Sequence, residues 1–445
     1  MSSEPQRTGS QRHRRNQSSI TKSRPRSSTK GPLDADDDPL SSPAPSSTLS
    51  PKPQSTTFRR PPSQRSSIAS PQLGEPRAKD FSFLLRPEIY HPLTALNVPQ
   101  AFRSSARQPD ASAPLEDLLS RGHFRAAAIA AVQELTGSGP SGQAVDPRDS
   151  ARIFHLLYVR LVCLTLVDAT SLAAQEVKAL EDLNSTRTYV DERTGEHLVP
   201  WELRVLNVRL QALGFGDSRR AVMSYHELAR EARDRISKAA TARDDDDDGN
   251  HSSASKELWK TRLQDLGIKV AGALVEMNDV SGAAHHLATL KSRDGADGKL
   301  ALAKSLMWLR LGDVDAARAC AAECAEDDAA ADKIIFALCD MGDREYEAAL
   351  EKWTALREDM EDDEMVGVNA AVCLIYLGRL QEGRDILESL VDAGMSSHTL
   401  LFNLSTVYEL CTEKHRSMKV KLSERVADMG ESQAGWEKTN SDFKL

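Results

Sequence analysis

Four groupings in this chain have the residue types of a chemical site, and the surroundings of each argue for something plainer. Gly137-Ser-Gly139-Pro-Ser-Gly142 has the spacing of a phosphate-cradling glycine loop. Such a loop works between a strand and the N-terminus of a helix, whose free N–H groups hold the phosphates. Here the preceding residues, Phe124 to Leu135, have helical spacing and Pro140 breaks the motif, so it reads as a loop. The run Asp244 to Asp248 would attract cations, but it lacks the glycine and distal glutamate of a calcium loop and reads as a solvated linker. Cys320 and Cys324 stand one helical turn apart, as a metal pair would. They share a stripe with Ala317 and Ala321, however, which is the pattern of small core residues. His285 and His286 are neighbours, and adjacent side chains on a helix diverge, which opposes a shared metal.

No nucleophile–base arrangement, P-loop or pair of carboxylates in a pocket loop stands out. The expectation is therefore of no enzyme: no catalytic residue, no metal ligand and no cofactor. Function has to be sought in surfaces, and so in the elements that present them.

The chain has 445 residues and a formal net charge of −9, unevenly distributed. Residues 1–80 carry about +7 and the remainder about −16. An acidic body argues against wrapping nucleic acid, which needs a basic face. The six cysteines (Cys163, Cys320, Cys324, Cys339, Cys373, Cys411) form no CxxC and lie mostly in apolar runs, as reduced core thiols do. Met1-Ser-Ser-Glu-Pro is not an apolar leader, and no apolar run approaches eighteen residues, so a soluble, cytosolic chain is expected.

Residues 1–80 are rich in Ser, Pro and Arg and poor in large apolar side chains, so they cannot offset their ordering entropy and should be disordered. Ser42-Pro43, Ser50-Pro51 and Ser70-Pro71 offer phosphorylation sites that would reduce the positive charge. An apolar island follows, in which Pro87 and Pro92 forbid a continuous helix. Its residues Phe83, Leu84, Leu85, Ile89 and Tyr90 should dock, either on this chain's own helices or on a partner.

Beyond Leu115 the pattern is helical and then repetitive. Val368, Ala371, Val372 and Ile375 fall at i, i+3, i+4 and i+7, Gly378 supplies a left-handed turn, and a second helix carries Gly383, Ile386, Leu387 and Leu390. The same grammar recurs upstream, with turn residues Asn278, Gly312 and Gly342 and small packing residues Ala283, Ala317 and Ala349 on the helices that follow. The four turn residues are spaced by 34, 30 and 36, which brackets the tetratricopeptide period. The predicted fold is all-α: a tetratricopeptide-repeat α-solenoid of antiparallel helix pairs behind a disordered N-terminal tail. The divisions are a basic tail over 1–80, an extended docking segment over 81–110, and irregular helical pairs with two loops (137–147 and 243–255) over 111–255. Four repeats over 256–391 and a capping helix pair with tail over 392–445 complete the chain.

Val368-Asn-Ala-Ala-Val-Cys-Leu-Ile-Tyr-Leu-Gly-Arg-Leu380, Leu400-Leu-Phe-Asn-Leu-Ser-Thr-Val-Tyr-Glu-Leu410 and His415-Arg-Ser-Met418 resemble the subunit-twelve family of the TRAPP vesicle-tethering complex. Leu258-Trp259-Lys-Thr-Arg262-Leu263 and Val199-Pro200-Trp201 are weaker matches to the same family, and the Phe83–Leu93 segment is similar to its fungal members. The resemblance implies a non-catalytic scaffold subunit of a TRAPP assembly, TRAPP III in particular. Its partners would be the other TRAPP subunits and, indirectly, a Rab GTPase. It would meet membrane only through the complex, at early Golgi and vesicle membranes, in endoplasmic reticulum to Golgi transport and autophagy. The alternative is a free-standing tetratricopeptide adaptor or chaperone cofactor, which grips peptide carboxylates in a basic groove.

Overall fold

The computed structural model describes residues 79–139, 142–241, 249–290, 298–322, 329–360, 363–432 and 434–445. All of them lie in the larger of two units, Leu73–Leu445. The expected disorder and phosphorylation sites of the tail lie, up to residue 78, outside the described residues. So do Asp244 to Asp248, Pro140 and Cys324.

The described chain opens with two 3₁₀ turns, Ser82–Leu85 and Pro87–Ile89. Pro87 starts the second turn, where its missing N–H is no loss. A short helix α1 (Gln100–Arg103) follows, and then the helix pairs begin. These are α2 (Leu115–Ser120) with α3 (Phe124–Thr136), and α4 (Ser150–Leu166) with α5 (Thr170–Glu176). After the single turn α6 (Thr186–Tyr189) comes α7 (Trp201–Phe215) with α8 (Ser218–Thr241). Four pairs occupy the repetitive stretch: α9 (Gly249–Glu276) with α10 (Val280–Thr289), α11 (Gly298–Leu311) with α12 (Val314–Ala322), α13 (Ala329–Gly342) with α14 (Tyr346–Asp359), and α15 (Glu364–Tyr376) with α16 (Leu380–Asp392). Helices α17 (His398–Cys411) and α18 (His415–Ala427) form the last pair. Among the described residues there is no strand, only an isolated bridge between Val190 and His197. The fold is an all-α tetratricopeptide-type stack of antiparallel pairs.

Helix α9 starts at Gly249, inside a stretch expected to be loop. The segment 249–255 is polar but contains no proline, so nothing prevents the helix from extending backwards.

One turn design joins the helices of each repeat. A left-handed residue ends the first helix and the next residue's N–H reaches back five positions: Asp279 to the Leu274 carbonyl at 3.0 Å, Asp313 to Trp308 at 3.0 Å, Glu345 to Asp340 at 2.9 Å, and Arg379 to Leu374 at 2.9 Å. This closes the carbonyls that a helix end leaves open. Asp279 and Asp313 then cap the second helix, their carboxylates accepting from the N–H groups of Gly282 and Ala316.

The left-handed residues are Asn278, Gly312, Arg344 and Gly378. Gly342, expected as a turn residue, is instead the last residue of α13, and the left-handed position falls two residues later on Arg344 (φ 69°). The helix runs on because Asp343 N–H still bonds the Cys339 carbonyl at 2.9 Å. With Arg344 in place of Gly342 the spacings become 34, 32 and 34, closer to regular than the glycines alone suggest.

The ends of the described chain meet. Phe102 of α1 is fully buried against Trp436 (5.4 Å between ring centroids) and Phe443 (6.1 Å), in one core with Leu400, Leu404 and Leu422 of the last pair. Asn440 N–H donates to the Asn97 carbonyl at 2.7 Å, and Trp436 N–H to the Gly122 carbonyl at 3.1 Å. Gly122, the left-handed turn between α2 and α3, has no room for a side chain because a Cβ there would lie 1.9 Å from the Ser432 carbonyl oxygen. The C-terminal segment thus seals the first helix pair to the last.

Candidate interaction surface

The docking segment is used within this chain. Phe81 and Leu84 are fully buried and Tyr90 nearly so, in a core with Phe154, Leu157, Val177 and Tyr189, while Phe83, Leu85 and Ile89 pack partly buried against it. Phe81 meets the Phe154 ring edge-on at 4.9 Å, and the Tyr90 hydroxyl donates to the Leu84 carbonyl at 2.7 Å. Burial raises the Tyr90 phenol well above the ordinary tyrosine range.

The small packing residues occupy one structural position. Ala283, Ala317, Ala349 and Gly383 each lie five residues after the left-handed residue of their repeat, and the three alanines are fully buried. A Cβ on Gly383 would lie 3.1 Å from the Ala371 carbonyl and 3.2 Å from Ile375 Cγ1, so this helix crosses its partner at near backbone contact. Arg318 of α12 reaches Asp340 (3.1 Å) and Asp343 (2.6 Å) and so bolts one pair to the next. These residues join the helices of the stack, and grooves open between the pairs.

Two such grooves combine apolar floors with acidic rims. One, of about 700 Å³, runs between α14 and the α15–α16 pair over Leu350, Leu374 and Ile386, with Glu351, Glu358, Glu382 and Asp385 against Arg357 and Arg379. Arg379 is itself committed to Glu382 by two hydrogen bonds, of 2.8 and 2.6 Å. The other, of about 480 Å³, is lined by Val280, Trp308, Leu311 and Val314 beside Asp313, Asp315 and Asp343. Tyr346 and Tyr376 stack face to face at 4.5 Å across α14 and α15, with Tyr376 65% exposed. Neither tyrosine lines either groove, and an exposed aromatic stack of this kind has the composition of a protein contact patch. Periodicity could not single out Tyr346 and Tyr376, because their pairing crosses two helices.

The chemical candidates have structural places. Gly137 takes a left-handed conformation at the end of α3, so a helix and not a strand leads into the glycine run. His286 Nε2 lies 3.0 Å from the Gly267 carbonyl, and burial lowers its pKa. Cys163, Cys339 and Cys373 are buried thiols; burial pushes Cys163 up to about 12 and Cys373 up to about 11, which leaves them unreactive. Among the described residues no group of three or more His, Cys, Asp or Glu is placed to hold a metal ion. Nor is any described helix long and apolar enough to cross a membrane.

No family model matches the sequence. Trafficking protein particle complex subunit 12 of Mus musculus is 25% identical over 341 residues, which cover 70% of this chain and 42% of that protein. Its Homo sapiens counterpart is 25% identical over 353 residues, covering 70% and 46%. Over this stretch the chain is similar to that subunit. It spans less than half the length of the curated relatives it matches. Among solved structures, a tetratricopeptide repeat protein from Parabacteroides merdae aligns with a TM-score of 0.36 and 13% identity, over 61% of this chain and 92% of that one.

Proposed function

We propose that the chain is a non-catalytic scaffold subunit of a TRAPP complex, and of TRAPP III in particular. The observation that carries this reading is its 25% identity to subunit 12 over 70% of its length. In this role the stack of pairs offers its grooves and the Tyr346–Tyr376 patch to neighbouring subunits. The assembly would tether vesicles between endoplasmic reticulum and Golgi, support autophagy, and act on a Rab GTPase through its other subunits. The chain would reach early Golgi and vesicle membranes only through them.

The grooves speak against a carboxylate-gripping peptide receptor. Their rims carry Glu351, Glu358, Asp385, Asp313 and Asp315, which repel an acidic peptide end. Affinity purification of the tagged native protein should recover the other TRAPP subunits in stoichiometric amounts. Recovery alone, together with saturable binding of acidic C-terminal peptides, would overturn the reading in favour of a free-standing adaptor.

A further inference from the structure

The larger groove lies over a seam between two cores. Leu350 of α14 packs on the core around Trp353, and Ile386 of α16 packs on the core around Leu387. Both are only partly buried, and they wall the groove above the buried Leu374. At about 700 Å³ it admits more than one side chain.

Charge and spacing say what would cover it. Arg379 is committed to Glu382, and Arg357 can answer one of Glu351, Glu358 and Asp385, which leaves two carboxylates without a cation in the groove. Asp385 accepts from Gln381 Nε2 at 2.8 Å, a neutral donor that cancels no charge. An apolar or acidic partner would strand those carboxylates on docking, whereas a basic one pairs them. Glu351 and Glu358 stand exposed two turns apart on α14, about 10 Å along its axis. A helix lying alongside presents two cations at that separation when they are seven residues apart, with the third and fourth residues between them on the same face. An extended chain covers the distance in about three residues, which sends the two side chains to opposite faces.

We propose that this groove docks a basic amphipathic helix of a partner protein. Its lysines or arginines at i and i+7 pair with Glu351 and Glu358, while apolar side chains at i+3 and i+4 pack on Leu350, Leu374 and Ile386. The ridge of such a helix fits between α14 and α16 as helices pack on one another. The inference rests on the TRAPP reading only for the source of the helix. Its test uses a synthetic peptide, so failure here leaves the TRAPP assignment standing.

The probe is a fluorescein-labelled helical peptide in an alanine–glutamine background, with two lysines seven residues apart and leucines at the third and fourth positions after the first. Titration of the full chain should raise its anisotropy saturably. An isomer of the same composition with the lysines five apart should bind at least tenfold more weakly, as should a version with alanine for both leucines. Glu351→Lys with Glu358→Lys should weaken the probe at least tenfold and should bind a glutamate-for-lysine peptide instead, with far-UV circular dichroism unchanged. If that variant fails to fold, Glu351→Gln with Glu358→Gln is read for the loss alone. Glu424→Lys, an exposed reversal on α18, should leave binding as it was. No saturable binding up to the solubility limit, equal binding of the five-apart isomer, or undiminished binding in the reversed variant would overturn the proposal. An equal loss in Glu424→Lys would also overturn it, in favour of diffuse attraction to an acidic body.

Discussion

Arg160 and Glu176 form a two-pronged ion pair inside the first core, Nε to Oε2 at 2.9 Å and Nη2 to Oε1 at 2.6 Å, with neither side chain more than 2% exposed. The pair also holds the backbone of His91 from both sides. Glu176 Oε1 accepts its N–H at 2.8 Å, and Arg160 Nη2 donates to its carbonyl at 2.7 Å. Arg160 Nη1 reaches the Ala128 carbonyl at 3.2 Å, so one guanidinium ties α3, α4, α5 and the extended segment together. The segment read as a docking strip is thus anchored by backbone bonds as well as by its apolar side chains.

Removing one charge of that pair strands the other in the core. Glu176→Ala should destabilise by about 3–5 kcal/mol, as broken buried pairs do. Arg160→Met with Glu176→Leu should cost less than either single change. Urea unfolding of the three variants checks this; additive losses would contradict it.

The turn register makes an ordered prediction. Gly378→Ala forces a Cβ into a left-handed conformation and should cost about 1–2 kcal/mol. Arg344→Gly relieves that same strain and should stabilise by up to about 1 kcal/mol. Gly342→Ala sits in a helix, where the added Cβ meets only Val314 Cγ2 at 3.2 Å, and should be nearly neutral. Thermal melts would rank the three, and a large loss at Gly342 would return the turn to the glycine.

Much of this was legible in the sequence, and the exceptions share a cause. Val368, Ala371, Val372 and Ile375 announce their helix because local burial alone imposes the 3.6-residue period. Gly342 misleads because glycine is the strongest local mark of a turn, whereas the end of α13 is set by bonds around Cys339 and Asp340 that let the helix run on. Trp436, Phe443 and Phe102 carry no periodic signal. They matter through contacts spanning more than three hundred residues, which no window along the chain can contain. The grooves and their acidic rims depend on which helices face one another, which the periodicity of a single helix does not record.

The seal between the chain ends should be cooperative. Phe102→Ala removes a ring that touches both Trp436 and Phe443, and should cost about 3–5 kcal/mol. Hydrogen exchange should quicken in 97–107 and 436–445 together, with α11 to α14 unaffected. Faster exchange in only one of the two segments would contradict a shared core.

Acid should loosen the same end. Hydrogen bonds from Lys419 and Lys444 hold the Glu409 carboxyl down at about 2, against an ordinary value of 4.5. A carboxyl whose folded pKa is depressed contributes its full stabilisation above 4.5 and loses it as the pH falls towards 2. Its side chain is one-third exposed, so solvent screening limits the contribution to about 1 kcal/mol. Glu409→Gln should flatten the stability profile between pH 4.5 and 2, read by urea midpoints; an unchanged slope would remove Glu409 from the account.

The claim that matters most is that this helical stack works as a built-in part of a TRAPP assembly. Size-exclusion chromatography with light scattering, run on the native tagged protein and followed by subunit quantification, tests it directly. The expected result is a peak far larger than the single chain, containing the other TRAPP subunits at fixed whole-number ratios to it. Elution as a lone chain, with none of those subunits in the peak, would contradict it.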